Sequence, residues 1–181
     1  AARRAREAGI DAVEIHGGHG YLIDAFLSPS SNFRTDGYGG DLAGRARFYL
    51  EILAAVRKEV GPDFPILCKL NAREVGKSDG ETFDTAVETA RLLERAGADA
   101  ITASAYHDVG VGKFHSESNI PHVPNTNLPG AAVIKRAVGI PVLSSGRVEF
   151  EDADRAIAEK TCDFVAFGRK ILADPAFPKK L

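Results

Sequence analysis

The chain has 181 residues, of which 44% are hydrophobic and 27% charged, with a formal net charge of −2. That length supports one domain with a real core, and 23 Lys/Arg dispersed among 25 Asp/Glu leave no basic surface for nucleic acid or a membrane. No apolar run approaches the roughly 20 residues that span a bilayer, and no stretch has the pattern of a leader peptide. The two cysteines, Cys68 and Cys162, each lie in an apolar run and are too few for a disulfide framework. Buried free thiols in a reducing, cytoplasmic setting are expected.

Residues 1–9 have the composition of a helix end, with no N-cap but with Gly9 where a helix C-terminus uses glycine. The sequence contains no Met, and the two features together predict a segment of a longer protein. A repeating unit follows: a helical pattern, a small-residue break, often an Asp, a short apolar run, then a glycine-rich or polar loop. It recurs at Ala8-Gly9-Ile10-Asp11, Ala96-Gly97-Ala98-Asp99, Val138-Gly139 and Cys162-Asp163, and a fifth apolar run follows Val60-Gly61. The apolar runs predict strands near residues 12–16, 65–70, 99–103, 141–145 and 163–167. They are nearly continuous in hydrophobicity, as parallel strands buried on both faces are. Amphipathic helices are expected over residues 42–60, 82–96, 131–138 and 152–160. Strand–helix alternation of this kind predicts an α/β fold with right-handed crossovers.

A closed (β/α)8 barrel usually needs about 250 residues. The fold class expected is therefore a partial TIM barrel, about strands 4–8 with their helices, in a single domain over residues 1–181; an open doubly wound sheet is the rival. Edges near residues 12–16 and 163–167 would then be unpaired, favouring association and weak cofactor binding by the isolated chain. Two long loops are expected. Residues 23–42 carry turn chemistry throughout, and residues 105–129 hold His107, His115, His122 and three prolines.

Several motifs carry possible chemistry. Val13-Glu14-Ile15-His16-Gly17-Gly18-His19-Gly20-Tyr21 places two imidazoles and a phenol where the first strand breaks into glycines. A metal pair at His16 and His19 lacks a carboxylate at ligand spacing, since Glu14 is expected to face back along the strand. Lys69, near the C-terminal end of an apolar strand, is costly unless paired; it could face an anionic ligand, form a Schiff base or snorkel to solvent. Ser145-Gly146-Arg147 and Gly168-Arg169 each follow a strand and precede a helical turn, and a pair of such loops in register makes an anion site. Gly76-Lys77-Ser78 is not a phosphate loop, because position 71 is Asn rather than the Gly the motif requires.

The blocks VEIHGGHGYLIDAFLSP, then Asn32 to Gly40 (NFRTDGYGG), then Arg45-Ala46-Arg47-Phe48, with Lys69 and the two Gly-Arg loops in order, resemble the old yellow enzyme family of FMN-dependent ene-reductases and NADH:flavin oxidoreductases. The resemblance implies that His16 and His19 donate to a carbonyl or nitro oxygen of the substrate, and that Tyr21 protonates the carbon that becomes saturated. It implies that Lys69 lies against the flavin N1/O2 edge and that Ser145, Gly146, Arg147, Gly168 and Arg169 hold the FMN phosphate. NADH or NADPH would be the reductant and a small molecule with an activated double bond the substrate, with a homo-oligomer possible and no resident metal. The second His and the sequence of the C-terminal end lean toward the subgroup of 2,4-dienoyl-CoA reductase and trimethylamine dehydrogenase, whose iron–sulfur cysteines would lie beyond Leu181.

That chemistry is coherent. An alkene accepts hydride only if negative charge can move onto a conjugated oxygen, and preorganised donors there stabilise it by a few kcal/mol each. A phenol titrates near about 10 in water, so it is protonated at neutral pH and can act as a general acid. A phosphate-gripping lyase or aldolase with a Schiff base on Lys69, and a non-catalytic flavin or phosphate binder, are the alternatives.

Overall fold

The computed structural model describes residues 1–107 and 124–180. Five parallel strands form one sheet: β1 Val13–Gly17, β2 Ile66–Val75, β3 Ala100–His107, β4 Val142–Ser144 and β5 Phe164–Val165, in the spatial order β1-β2-β3-β4-β5. The strand order never reverses, as it must in a doubly wound sheet. The chain thus forms a five-stranded segment of a (β/α)8 barrel, with β1 and β5 at the edges among the described residues.

The helices are α1 Ala2–Glu7, α2 Leu22–Leu27, α3 Leu42–Val60, α4 Phe83–Arg95, α5 Leu128–Lys135, α6 Phe150–Ala158 and α7 Arg169–Ala173. Two depart from the sequence reading in an informative way. Residues 23–27, the start of the expected loop 23–42, belong to α2 Leu22–Leu27, whose start is marked only by Tyr21 in extended geometry with no side-chain cap. Helix α5 begins at Leu128 rather than residue 131, with Pro129 in its first turn, where a missing N–H costs nothing. Strand β2 also runs five residues beyond its expected end at Leu70. A register shift between Asn71 and Glu74 lets Glu74 pair with Tyr106 and Val75 with His107. Residues 105–107 accordingly belong to β3; His115 and His122 lie outside the described residues.

The two faces of the sheet differ. One face carries Ile15, Ile66, Cys68, Leu70, Ile101, Ala103 and Val142, all buried against Tyr49, Leu53, Ala86, Ala90, Leu93, Ala131 and Ile134 of the helices. The opposite face carries Glu14, His16, Lys69 and Phe164 and has no helix on it among the described residues; Phe164 is 56% exposed.

The recurring Asp before each strand has a physical role. Asp99 Oδ2 accepts from the Ile66 amide at 2.7 Å and from Arg57 at 2.5 Å, while its own N–H donates to Ile66 O. Asp163 does the same two units later, accepting from the Val142 amide at 2.7 Å and pairing with Lys135 at 2.8 Å. Each Asp thus caps the first amide of the preceding strand and sets its register.

A polar pocket lies inside the core beneath α2. Asp24 is 1% exposed and accepts from the Gly20 amide and Asn71; Glu74 accepts from Ser28, Ser30, Lys77 and the Glu81 amide. Glu81 is 2% exposed, and neither of its carboxyl oxygens has a hydrogen-bond partner among the described residues. Burial pushes the Glu81 carboxyl up to about 8, with Asp24 and Glu74 adding to the rise and Arg45 opposing it. Burial likewise raises Asp24 to about 7, with further upward pressure from Glu74.

Two expectations follow from these contacts. Asp99→Ala should lower unfolding free energy by about 1–3 kcal/mol, because the Ile66 amide loses its partner, whereas Asp11→Ala, at a side chain with no such bond, should change it by less than about 0.5 kcal/mol in the same urea titration. The acid cluster has a defined sign. An unfolded carboxylate loses its proton near 3.8 or 4.5 while the folded ones hold theirs to about 7 and 8, so their contribution is full below about pH 4 and is lost as pH rises toward 8. Thermal unfolding at pH 5 and pH 8 should show a fall in wild-type Tm that Glu81→Gln reduces; equal falls would show that Glu81 is not protonated in the folded state.

Candidate functional site

The site grows from the register of the sheet. His16 pairs with Lys69, Lys69 with Thr102, Thr102 with Leu143 and Leu143 with Phe164. Partners across a parallel sheet share a face, so these five side chains form one row across all five strands on the uncovered side. The row is polar at the β1–β3 end and apolar at the β4–β5 end.

At the polar end Lys69 Nζ lies 3.0 Å from Glu14 Oε2, and Glu14 Oε1 accepts from Thr102 Oγ1. Glu14 therefore faces the row with His16 instead of pointing away along the strand, because residues two apart on a strand share a face. This contact gives Lys69 the partner that a strand lysine requires. Partial burial, then the Lys69 charge, lower the pKa of His16, with Glu14 opposing them. The neutral imidazole, a donor at one nitrogen only, is favoured at neutral pH.

The glycine break after β1 brings the three predicted rings together. The His16 and His19 ring centroids are 5.0 Å apart in an edge-to-face arrangement, and His16 and Tyr21 are 5.4 Å apart. The turn is possible because His19 (φ 62°) and Gly20 (φ 75°) both take left-handed backbone geometry. Gly17 is required for another reason: a Cβ there would lie 2.4 Å from the ring of Tyr49. His19 Nε2 is 2.6 Å from Ser104 Oγ, which fixes the ring plane. Tyr21, at the N-cap of α2, is 63% exposed.

The two glycine loops lie at the other end of the row. Ser145-Gly146-Arg147 follows β4 and Ala166-Phe167-Gly168-Arg169 follows β5, and the Ala166 amide donates to Ser144 O, so the loops leave adjacent strands in register. Gly146 has φ 97° and Arg147 φ 59°. A Cβ at Gly168 would meet nothing within 4 Å, so that backbone is open to approach. Lys170 at the start of α7 pairs with Glu149 at the start of α6, tying the loops together. The dipole contribution expected from sequence is limited here. Helix α6 begins three residues after Arg147 with Glu151 and Asp152 in its first turn, and α7 has only 5 residues. Backbone approach and the arginines are the features that suit a phosphate.

Sequence reasoning missed several supporting groups. The Tyr49 hydroxyl lies 2.9 Å from both Ile15 O and Lys69 O. Asn71 was considered only as a break in a phosphate-loop pattern, and Ser104 not at all. Residue type alone carried no signal for them, since their roles depend on contacts 20 to 85 positions away in sequence.

Comparison with known proteins places this arrangement in context. NADH oxidase of Thermoanaerobacter brockii is 40% identical over 181 residues, covering 99% of this chain and 27% of that protein. NADPH dehydrogenase of Clostridium acetobutylicum is 36% identical over 178 residues, covering 98% of this chain and 50% of that protein. A solved 2-naphthoyl-CoA reductase in complex with 2-naphthoyl-CoA superposes with a TM-score of 0.88 at 34% identity, over 99% of this chain and 27% of that one. The chain thus spans between a quarter and a half of the proteins it resembles. The model of the NADH:flavin oxidoreductase / NADH oxidase family matches residues 1–181, and the chain belongs to that family.

Proposed function

We propose that this chain is a single-domain portion, about strands 4–8, of an FMN-dependent reductase. That reductase would pass hydride from NADH or NADPH to the double bond of an unsaturated carbonyl, nitro or acyl-thioester compound. The observation that carries the proposal is the clustering of the His16, His19 and Tyr21 rings at 5.0–5.4 Å above a row that contains Lys69. The solved relative that names an aromatic acyl thioester, and relatives that name NADH and NADPH, support the substrate and reductant classes.

The residues fit the cofactor by the chemistry they present. The row from Lys69 to Phe164 offers a cation at one end and apolar surface at the other, suited to a flat heteroaromatic, and the open backbone at Gly168 with Gly146, Ser145, Arg147 and Arg169 suits its phosphate. Bound FMN would supply the hydride. His16 and His19 would hold the substrate's activating oxygen, and neutral imidazole at His16 would donate there without carrying its own positive charge. Lys69 would lie by the electron-rich N1/O2 edge, with Glu14 orienting its ammonium. Tyr21, exposed beside His16, would deliver the proton to carbon. An iron–sulfur cluster would require ligands outside this chain, because two cysteines cannot supply a full ligand set.

The Schiff-base alternative gains no support from the Lys69–Glu14 pair, since a lysine nucleophile reacts as a free amine. In a flavin-loaded protein containing this chain, Tyr21→Phe should slow alkene reduction by about 10²-fold or more while flavin reduction by NAD(P)H is unchanged. Stopped-flow measurement of the two half-reactions decides this; no effect on either would remove Tyr21 as the acid. Borohydride with a carbonyl substrate should leave Lys69 unmodified.

A further inference from the structure

The turn that presents His19 is held from beneath by the side chains of Asn71 and Asp24, which bind its backbone. The His19 amide donates to Asn71 Oδ1 at 3.2 Å, and the Gly20 amide donates to Asp24 Oδ2 at 2.6 Å. Asn71 Nδ2 donates to that same Asp24 oxygen at 2.8 Å. Asn71 and Asp24 are 0% and 1% exposed, so no water competes for these bonds. The two amides they bind belong to the consecutive residues with positive φ, His19 and Gly20, and a non-glycine residue in that geometry persists only where its surroundings impose it. The fit is close, since a Cβ on Gly18 would lie 2.9 Å from Asn71 Oδ1. The charged groups around Asp24 are Glu74 on β2, Lys77 beyond it and Glu81 before α4.

We propose that Asn71, its amide oriented by Asp24, is a positioning residue that imposes the left-handed turn at His19-Gly20 and so places the His19 imidazole beside His16. Only an amide satisfies position 71 in this arrangement: its oxygen accepts from the turn while its nitrogen donates to the carboxyl. A carboxylate there would set acceptor against acceptor, and an apolar residue would leave the His19 amide without a partner. The consequence for substrate rests on the reading that His16 and His19 hold the substrate's oxygen; the consequence for the turn does not.

The test has two arms. In the first, amide hydrogen exchange is measured on this chain. Asn71→Ala and Asn71→Asp should each expose the His19 and Gly20 amides to exchange about tenfold faster or more, with protection in the β2–β3 core unchanged. The exchange D24N/N71D puts a donor back opposite an acceptor at position 71 and should restore protection of the His19 amide, while the Gly20 amide, whose acceptor Asp24 Oδ2 becomes an NH2 donor, stays in exchange. Should Asn71→Ala not fold, the near-isosteric Asn71→Asp and the double exchange make the same comparison. Unchanged His19 protection in the single variants, or folded D24N/N71D protein whose His19 amide remains unprotected, would overturn the proposal. In the second arm, a flavin-loaded protein containing this chain is assayed with His19→Ala as the reference. Asn71→Asp should raise KM and slow the alkene half-reaction in the same sense as His19→Ala, with flavin reduction unaffected and D24N/N71D restoring both. If His19→Ala has no effect on alkene reduction, the substrate reading fails while the exchange arm still decides the role of Asn71.

Discussion

The contact on which the site depends is the hydroxyl of Tyr49. It reaches from the buried face of α3 to Ile15 O on β1 and Lys69 O on β2, 2.9 Å from each. Those carbonyls flank the points where His16 and Lys69 emerge on the other face. A fully buried phenol has to find an acceptor, and here it finds two on adjacent strands, so a helix packing interaction becomes a constraint on the β1–β2 register. A slip of one residue would turn His16 and Lys69 into the apolar layer and Ile15 and Cys68 out of it. Burial also raises the Tyr49 pKa, keeping the hydroxyl a donor throughout the physiological range. Gly17 completes the arrangement, because any side chain there would collide with the Tyr49 ring.

From that register the chemistry separates onto two sides. The helix-covered side excludes water and gives stability. The other side gathers the groups that cost most to bury, Glu14, Lys69 and His16, and offsets that cost by pairing them. Glu14 is central to this: it accepts from Thr102, pairs with Lys69 and partly counters the effect of Lys69 on His16. The three strands at the polar end are thereby coupled through one carboxylate. The far end of the row, Leu143 and Phe164, has no such demand and runs toward the glycine loops, which Lys170 and Glu149 tie together.

Much of this was legible in the sequence, for physical reasons that can be named. The five strands stand out as short, nearly continuous apolar runs and the long helix Leu42–Val60 by its periodicity, while βα alternation alone left both a barrel and a doubly wound order open. The His16, His19 and Tyr21 corner was visible because two imidazoles and a phenol cluster where an apolar run breaks into glycines. What escaped is what depends on tertiary contact. Helix α2 has only 6 residues and no side-chain cap, so nothing local separates it from the turn chemistry that follows. The extension of β2 to Val75 relies on pairing across a register shift that no local pattern encodes. Asp24, Asn71 and Glu81 look like ordinary polar residues, and their burial is set by the packing of α2, β2 and the start of α4. The orientation of Glu14 could have been read from its spacing to His16, but the partner that fixes it, Lys69, is 55 positions away.

The central claim is that a flavin phosphate is held by the loops after β4 and β5, with the ring system along the row that ends at Lys69 and His16. Titration of FMN and of riboflavin against a protein containing this chain, in wild-type form and as Arg147→Ala, tests it directly. The account predicts that Arg147→Ala weakens FMN binding by about tenfold or more, as loss of a charge-assisted contact does, and leaves riboflavin binding unchanged. Equal effects on the two ligands, or none on either, would contradict it.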